Sequence, residues 1–174
     1  MIGLRSRLEP DMHTAEERFP SVLLSLEEYA KEVDTSGDED GKQYQVLEKY
    51  LHGLTNKDIS KFNLYEWWEE EGAEVLAFRI SLPDPVFVSD ITFDEVAEIV
   101  RRIKEYDFSN AHSGTFAADF QNYLDNYYHD FLKLNFPDAY RVKLFQRNRA
   151  KDGSYFEYPI DEIISALMGK LNKL

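Results

Sequence analysis

Two helical-looking stretches each carry an acid four residues before a histidine: Glu48 with His52, and Asp125 with His129, the latter also followed by Asp130. Residues i and i+4 share a helix face, so each pair could ligate one metal ion or tune one imidazole. If the two helices met, the pairs could build a dinuclear site for a metal-assisted hydrolase or a metal-binding regulator. Bundle sites of that kind use Glu-x-x-His spacing and further glutamates, and neither helix shows them. No metal site is therefore assigned. Other catalytic constellations are thin. The chain has no cysteine, no Gly-x-Ser-x-Gly elbow and no phosphate-cradling glycine loop. Neither a catalytic residue nor a cofactor is expected.

An acidic loop, Ser36-Gly37-Asp38-Glu39-Asp40-Gly41, has the alternating acids of a calcium loop. Such a loop needs an acid at its first position and a bidentate glutamate at its twelfth. Here those positions hold Ser36 and Leu47, so the segment reads as a solvated connection. Its acids, Asp38, Glu39 and Asp40, remain candidates for contact with a cationic partner.

The stretch Tyr65-Glu66-Trp67-Trp68-Glu69-Glu70-Glu71 sets both tryptophans of the chain beside consecutive glutamates. On a helix, adjacent tryptophans point about 100° apart, so one packs inward more readily than two. Aromatic rings supply area and cation–π contact, and carboxylates supply charge and bidentate geometry. Tyr65, Trp67, Trp68, Glu69, Glu70 and Glu71 are therefore candidates for gripping Arg and Lys. One basic cluster answers them: Arg141, Lys143, Arg147, Arg149 and Lys151. An alternating strand would put Arg141, Lys143, Phe145 and Arg147 on one solvated face, with Val142 and Leu144 inward.

The elements that must carry these residues follow from periodicity. Helices are expected over 21–33, with Ser21 as N-cap after Pro20, and over 43–54, with Tyr44, Leu47, Tyr50 (or Val46), Leu51 and Leu54 inward. The segment AEVLAFRISL alternates Leu76, Phe78, Ile80 and Leu82 with polar positions and predicts a half-buried strand. VFVS, after Pro83 and Pro85, predicts a short second one. Thr92 and Glu95 form a capping box for a helix to about residue 106. A long helix is expected over 115–134, then a hairpin from YRVKLFQRN and SYFEY around Asp152-Gly153. A last helix follows Pro159.

This order predicts an α+β fold: one domain over 1–174, with two hairpin-like antiparallel strand pairs packed on about five helices. Strand–strand–helix occurs twice, so 43–106 and 115–174 could be a pseudo-repeat. Acids in the first turn of a helix are common enough to give the same rhyme without duplication.

Charge sets the expected partner. The chain has 174 residues, with 33 Asp plus Glu against 20 Lys plus Arg, a formal net charge of −13. Such a field repels nucleic-acid phosphates and anionic membranes and draws in basic proteins. The apolar runs are too short to span a bilayer, and neither a signal sequence nor cysteine is present, which predicts a cytoplasmic protein. The expected function is that of a non-catalytic acidic protein that neutralises a basic protein partner. Immunity proteins and antitoxins that block a nuclease-like toxin share that profile of size, acidity and missing cysteine.

Overall fold

The first helix begins nine residues earlier than its apolar stripe suggests, because Asp11 caps it. The computed structural model describes residues 3–65, 72–105 and 114–169. In it the Asp11 carboxylate accepts the Thr14 N–H at 3.0 Å and the Thr14 hydroxyl at 2.7 Å. Helix α1 then runs Met12–Ser36 with Pro20 inside it. A proline in the first half removes one helical hydrogen bond without ending the helix. Its buried stripe is Ala15, Val22, Leu26 and Tyr29.

The described residues divide into two units, each discontinuous in sequence. One contains residues 11–65, 72–84 and 114–123: α1, α2 (Lys42–Thr55), a 3-10 turn (Ile59–Lys61), α3 (Ala73–Ser81) and the short α5 (Phe116–Phe120). Its core joins Val22 and Leu26 of α1, Leu47 and Leu51 of α2, and Leu76, Ala77 and Ile80 of α3. A second aromatic cluster brings Phe19, Phe78, Phe116 and Phe120 together, with the Phe78 and Phe120 rings stacked at 4.5 Å. The Lys57 ammonium is buried against the end of α3. It donates to the carbonyl oxygens of Arg79 and Leu82 at 2.8 Å each and pairs with Asp84 at 3.0 Å. A cation there satisfies helix-end carbonyls and answers the negative end of the helix dipole.

The other unit contains residues 3–10, 85–105 and 124–169. Helices α4 (Phe93–Lys104), α6 (Asp125–Asn135) and α7 (Ile160–Met168) make its frame. The capping box forms as the sequence predicts, with Glu95 accepting the Thr92 N–H at 2.9 Å. Arg5 then clamps Glu95 and Asp90, donating at 2.5 and 2.8 Å. Arg102 binds Glu9 through both terminal nitrogens, Glu98 through Nε and the Tyr128 hydroxyl. Burial works to raise the carboxyls of Glu95 and Glu98, but the arginines beside them outweigh it and hold both below their ordinary values.

The expected α+β architecture is not what forms. The described residues hold seven α-helices and one sheet, the two-stranded antiparallel pair β1 (Asn148–Arg149) and β2 (Tyr155–Phe156). AEVLAFRISL is helix α3, not a strand: Ala73, Val75, Ala77 and Ser81 are buried along with Leu76, Phe78 and Ile80. A helix buried nearly all round has no polar face to show a 3.6-residue period. VFVS is not a strand either. The Val88 N–H and the Val86 carbonyl are taken by the side-chain amide of Asn135, at 2.8 and 3.2 Å, with no neighbouring strand. In the C-terminal hairpin, Val142–Leu144 is a 3-10 turn and Val142 is exposed, so the basic residues from Arg141 to Arg147 do not share one strand face. The long helix expected over 115–134 is two, separated by a 3-10 turn at Gln121–Tyr123.

Candidate functional site

The connection between α1 and α2 is five residues long, so the two helices form an αα-hairpin. Gly37 (φ 70°) and Gly41 (φ 64°) take the left-handed conformations that so tight a turn needs. Asp38, between them, is the organising side chain. Its carboxylate accepts the N–H groups of Gln43 at 3.1 Å and Tyr44 at 2.8 Å, the unsatisfied donors at the start of α2. It also accepts the Tyr29 hydroxyl from α1 at 3.3 Å. Desolvation works to raise Asp38, and these donors together outweigh it and hold the carboxyl below the usual range. Burial, then the negative charge of Asp38, pushes the Tyr29 hydroxyl up to about 12.

Along the outer side of this hairpin lies a groove of about 570 Å³. From α1 it is lined at one-turn intervals by Ser21, Leu24 and Ser25, Glu28 and Tyr29, and Glu32; from α2 by Lys42 and Gln43, Val46 and Leu47, and Tyr50. Tyr29 and Leu47 form its buried floor, and three other apolar residues stand open: Leu24 is 54% exposed, Val46 70% and Tyr50 49%. These positions cost solvation free energy in the isolated chain and contribute nothing to its core. Glu28 and Glu32, exposed on the α1 wall, pair with no cation among the described residues. The groove's lysine, Lys42, is neutralised by Asp40 at 2.5 Å. At the same end, the Gln43 side-chain oxygen is enclosed and has no hydrogen-bond donor. The groove is thus apolar along its length, acidic along one wall, and short of a donor near the turn.

The residues singled out from sequence divide around this hairpin. Asp38 is spent inside it as a capping group. Asp40 pairs with Lys42, and Glu39 is exposed at the turn. Tyr65 is exposed. Trp67, Trp68, Glu69, Glu70 and Glu71 lie outside the described residues. The groove itself was missed because Tyr50 and Val46 read as inward-facing positions of α2. The signal was there: 46 and 50 add a second apolar row beside the buried row 47, 51, making the stripe wider than one core face needs.

The two acid–histidine pairs behave separately. His52 Nδ1 donates to the Lys57 carbonyl oxygen at 2.7 Å. His129 is half-buried, with Nδ1 sharing a hydrogen bond with the Tyr140 hydroxyl at 3.2 Å and its ring edge-on to Phe145. Burial lowers the pKa of His129, against the pull of Asp125 and Asp130. No group of three or more His, Asp or Glu side chains gathers to hold a metal among the described residues. No helix among them is long and apolar enough to cross a membrane. The chain matches no protein-family model, no curated protein and no solved structure.

Proposed function

We propose that the chain is a non-catalytic binding protein that engages and neutralises a basic protein partner. The observation that carries this reading is the open apolar groove of the α1–α2 hairpin, with two exposed glutamates on its wall that pair with no cation among the described residues. Exposed apolar area supplies affinity once water is excluded, and the carboxylates supply orientation and discrimination against acidic proteins. The net charge of −13 supports the same partner class by steering cations toward the whole molecule. Neutralisation of a basic nucleic-acid-processing protein, in the manner of an immunity protein or antitoxin, is the form of this function that combines fast, salt-sensitive association with an occluded basic surface.

The test is identification of the partner. The immobilised chain is exposed to host extract at about 50 mM salt and washed toward about 500 mM, a range over which charge attraction is strongly screened. The reading expects a basic protein that is released as salt rises, re-forms a defined complex when purified, and loses its own activity in that complex. Retention of no basic protein contradicts it.

A further inference from the structure

We infer that the α1–α2 groove is the seat of an amphipathic, basic α-helix supplied by the partner. This deepens the proposed function and rests on it. The shape argues for a helix. The lining from Ser21 to Glu32 spans about 16 Å at about 1.5 Å per residue, the length of roughly three helical turns. Both walls are helices, whose backbone groups are already bonded within them. An extended peptide laid there would bury its own N–H and C=O groups without partners, whereas a helix satisfies them internally.

The chemistry of the face follows from the lining. Val46 and Tyr50 stand one turn apart on the α2 wall and Leu24 stands on the α1 wall, which calls for apolar anchors about one turn apart, at i and i+3 or i+4, on the occupant. Glu28 and Glu32 stand four apart on α1, so they match Lys or Arg residues one turn apart on the flank facing that wall. The opposite wall offers no acid, since its lining is Lys42, Gln43, Val46, Leu47 and Tyr50. Charge on the occupant is therefore one-sided, which sets which way round the helix lies.

The experiment uses the full chain and three synthetic peptides of about 18 residues, long enough to reach helical conformation readily. The first is built from Leu, Lys and Ala with the leucines on one helix face and lysines along one flank. The second has the same composition with the leucines spread around the helix, and the third replaces every lysine by glutamate. Calorimetric titration is expected to give about micromolar affinity for the first peptide and at least about tenfold weaker binding for the others. In the chain, L24S/V46S weakens the first peptide by about tenfold. E28Q/E32Q, which leaves the apolar groove intact, weakens it several-fold at about 50 mM salt, with the difference closing at about 500 mM. V142S, in the other unit, leaves it unchanged. Circular dichroism and melting of each variant establish that it is folded.

Equal affinity for the first two peptides overturns the inference, and so does equal affinity of the parent chain and L24S/V46S. Concentration-dependent mass that L24S/V46S abolishes would assign the groove to a second copy and overturn it too. A captured basic protein whose affinity is untouched by L24S/V46S removes the groove inference and leaves the binding function standing. Capture of no basic protein removes the function itself.

Discussion

The carboxylate of Asp38 accepts the backbone N–H of Tyr44 at 2.8 Å and, from the other helix, the hydroxyl of Tyr29 at 3.3 Å. One side chain thus ties the end of α1 to the first turn of α2. That tie fixes how the two groove-lining helices meet at the turn. Asp38→Ala is expected to expose the amides of Gln43 and Tyr44 to rapid hydrogen exchange while the centre of α2 stays protected. Asp38→Asn, which keeps one acceptor, falls between. Exchange measured residue by residue checks this.

Tyr29 gives the hairpin a signature at high pH. Its hydroxyl holds its proton up to about 12 in the folded chain, against about 10 in an unfolded one. The folded state therefore binds the extra proton between those values. The stability linked to Tyr29 is full below about pH 10 and is lost as pH rises toward 12. Urea midpoints should fall more steeply between about pH 10 and about pH 12 in the parent chain than in Tyr29→Phe.

Lys57 locks the end of α3 through two carbonyl oxygens, with Phe62 beneath its ammonium at 5.4 Å from the ring centre. Lys57→Met keeps most of the stem and removes the donors, leaving the Arg79 and Leu82 carbonyls short of partners. Hydrogen bonds to a charged group contribute about 1.5–3 kcal/mol each. Urea unfolding is expected to show a loss of about 3 kcal/mol, because part of that is regained by solvent reaching the site.

His129 supplies a pH dependence in the other unit. Burial favours its neutral form, so its pKa lies below the unperturbed value of about 6.5. The unfolded chain then takes up a proton at higher pH than the folded one. The stability linked to His129 is present above about pH 6.5 and is lost as pH falls through its depressed folded value. A titration of its ring protons by NMR should show the lowered midpoint, and Tyr140→Phe should shift it by removing the hydroxyl at 3.2 Å.

Much of the helical frame was legible in the sequence. The Thr92–Glu95 capping box and the helix after Pro159 formed where their residues predicted, and α2 buries Leu47 and Leu51 of its expected row while Tyr50 and Val46 stand open. Helix α3 was not legible, because a segment buried on nearly all sides shows a period of neither kind. Its chance alternation of Leu76, Phe78 and Ile80 looks like a strand. The break in the long aromatic run was hidden for a different reason. Phe116 and Phe120 pack in one unit and Tyr127, Tyr128 and Phe131 in the other, so one uninterrupted stripe serves two cores. The net acidity was readable directly from composition. The place where it meets exposed apolar surface was not, since Val46 and Tyr50 satisfy the pattern of an inward face until the positions of their neighbours are known.

Where a basic amphipathic helix lands on the chain decides whether the hairpin groove is its seat. The most direct measurement is an NMR titration of the isotope-labelled chain with the one-faced leucine–lysine peptide, read as backbone amide shifts and line broadening. Seating in the groove concentrates the perturbed amides in residues 21–32 and 42–50 and leaves those of 141–158 unmoved. Perturbation centred outside the hairpin, or spread evenly over the exposed acids, would contradict it.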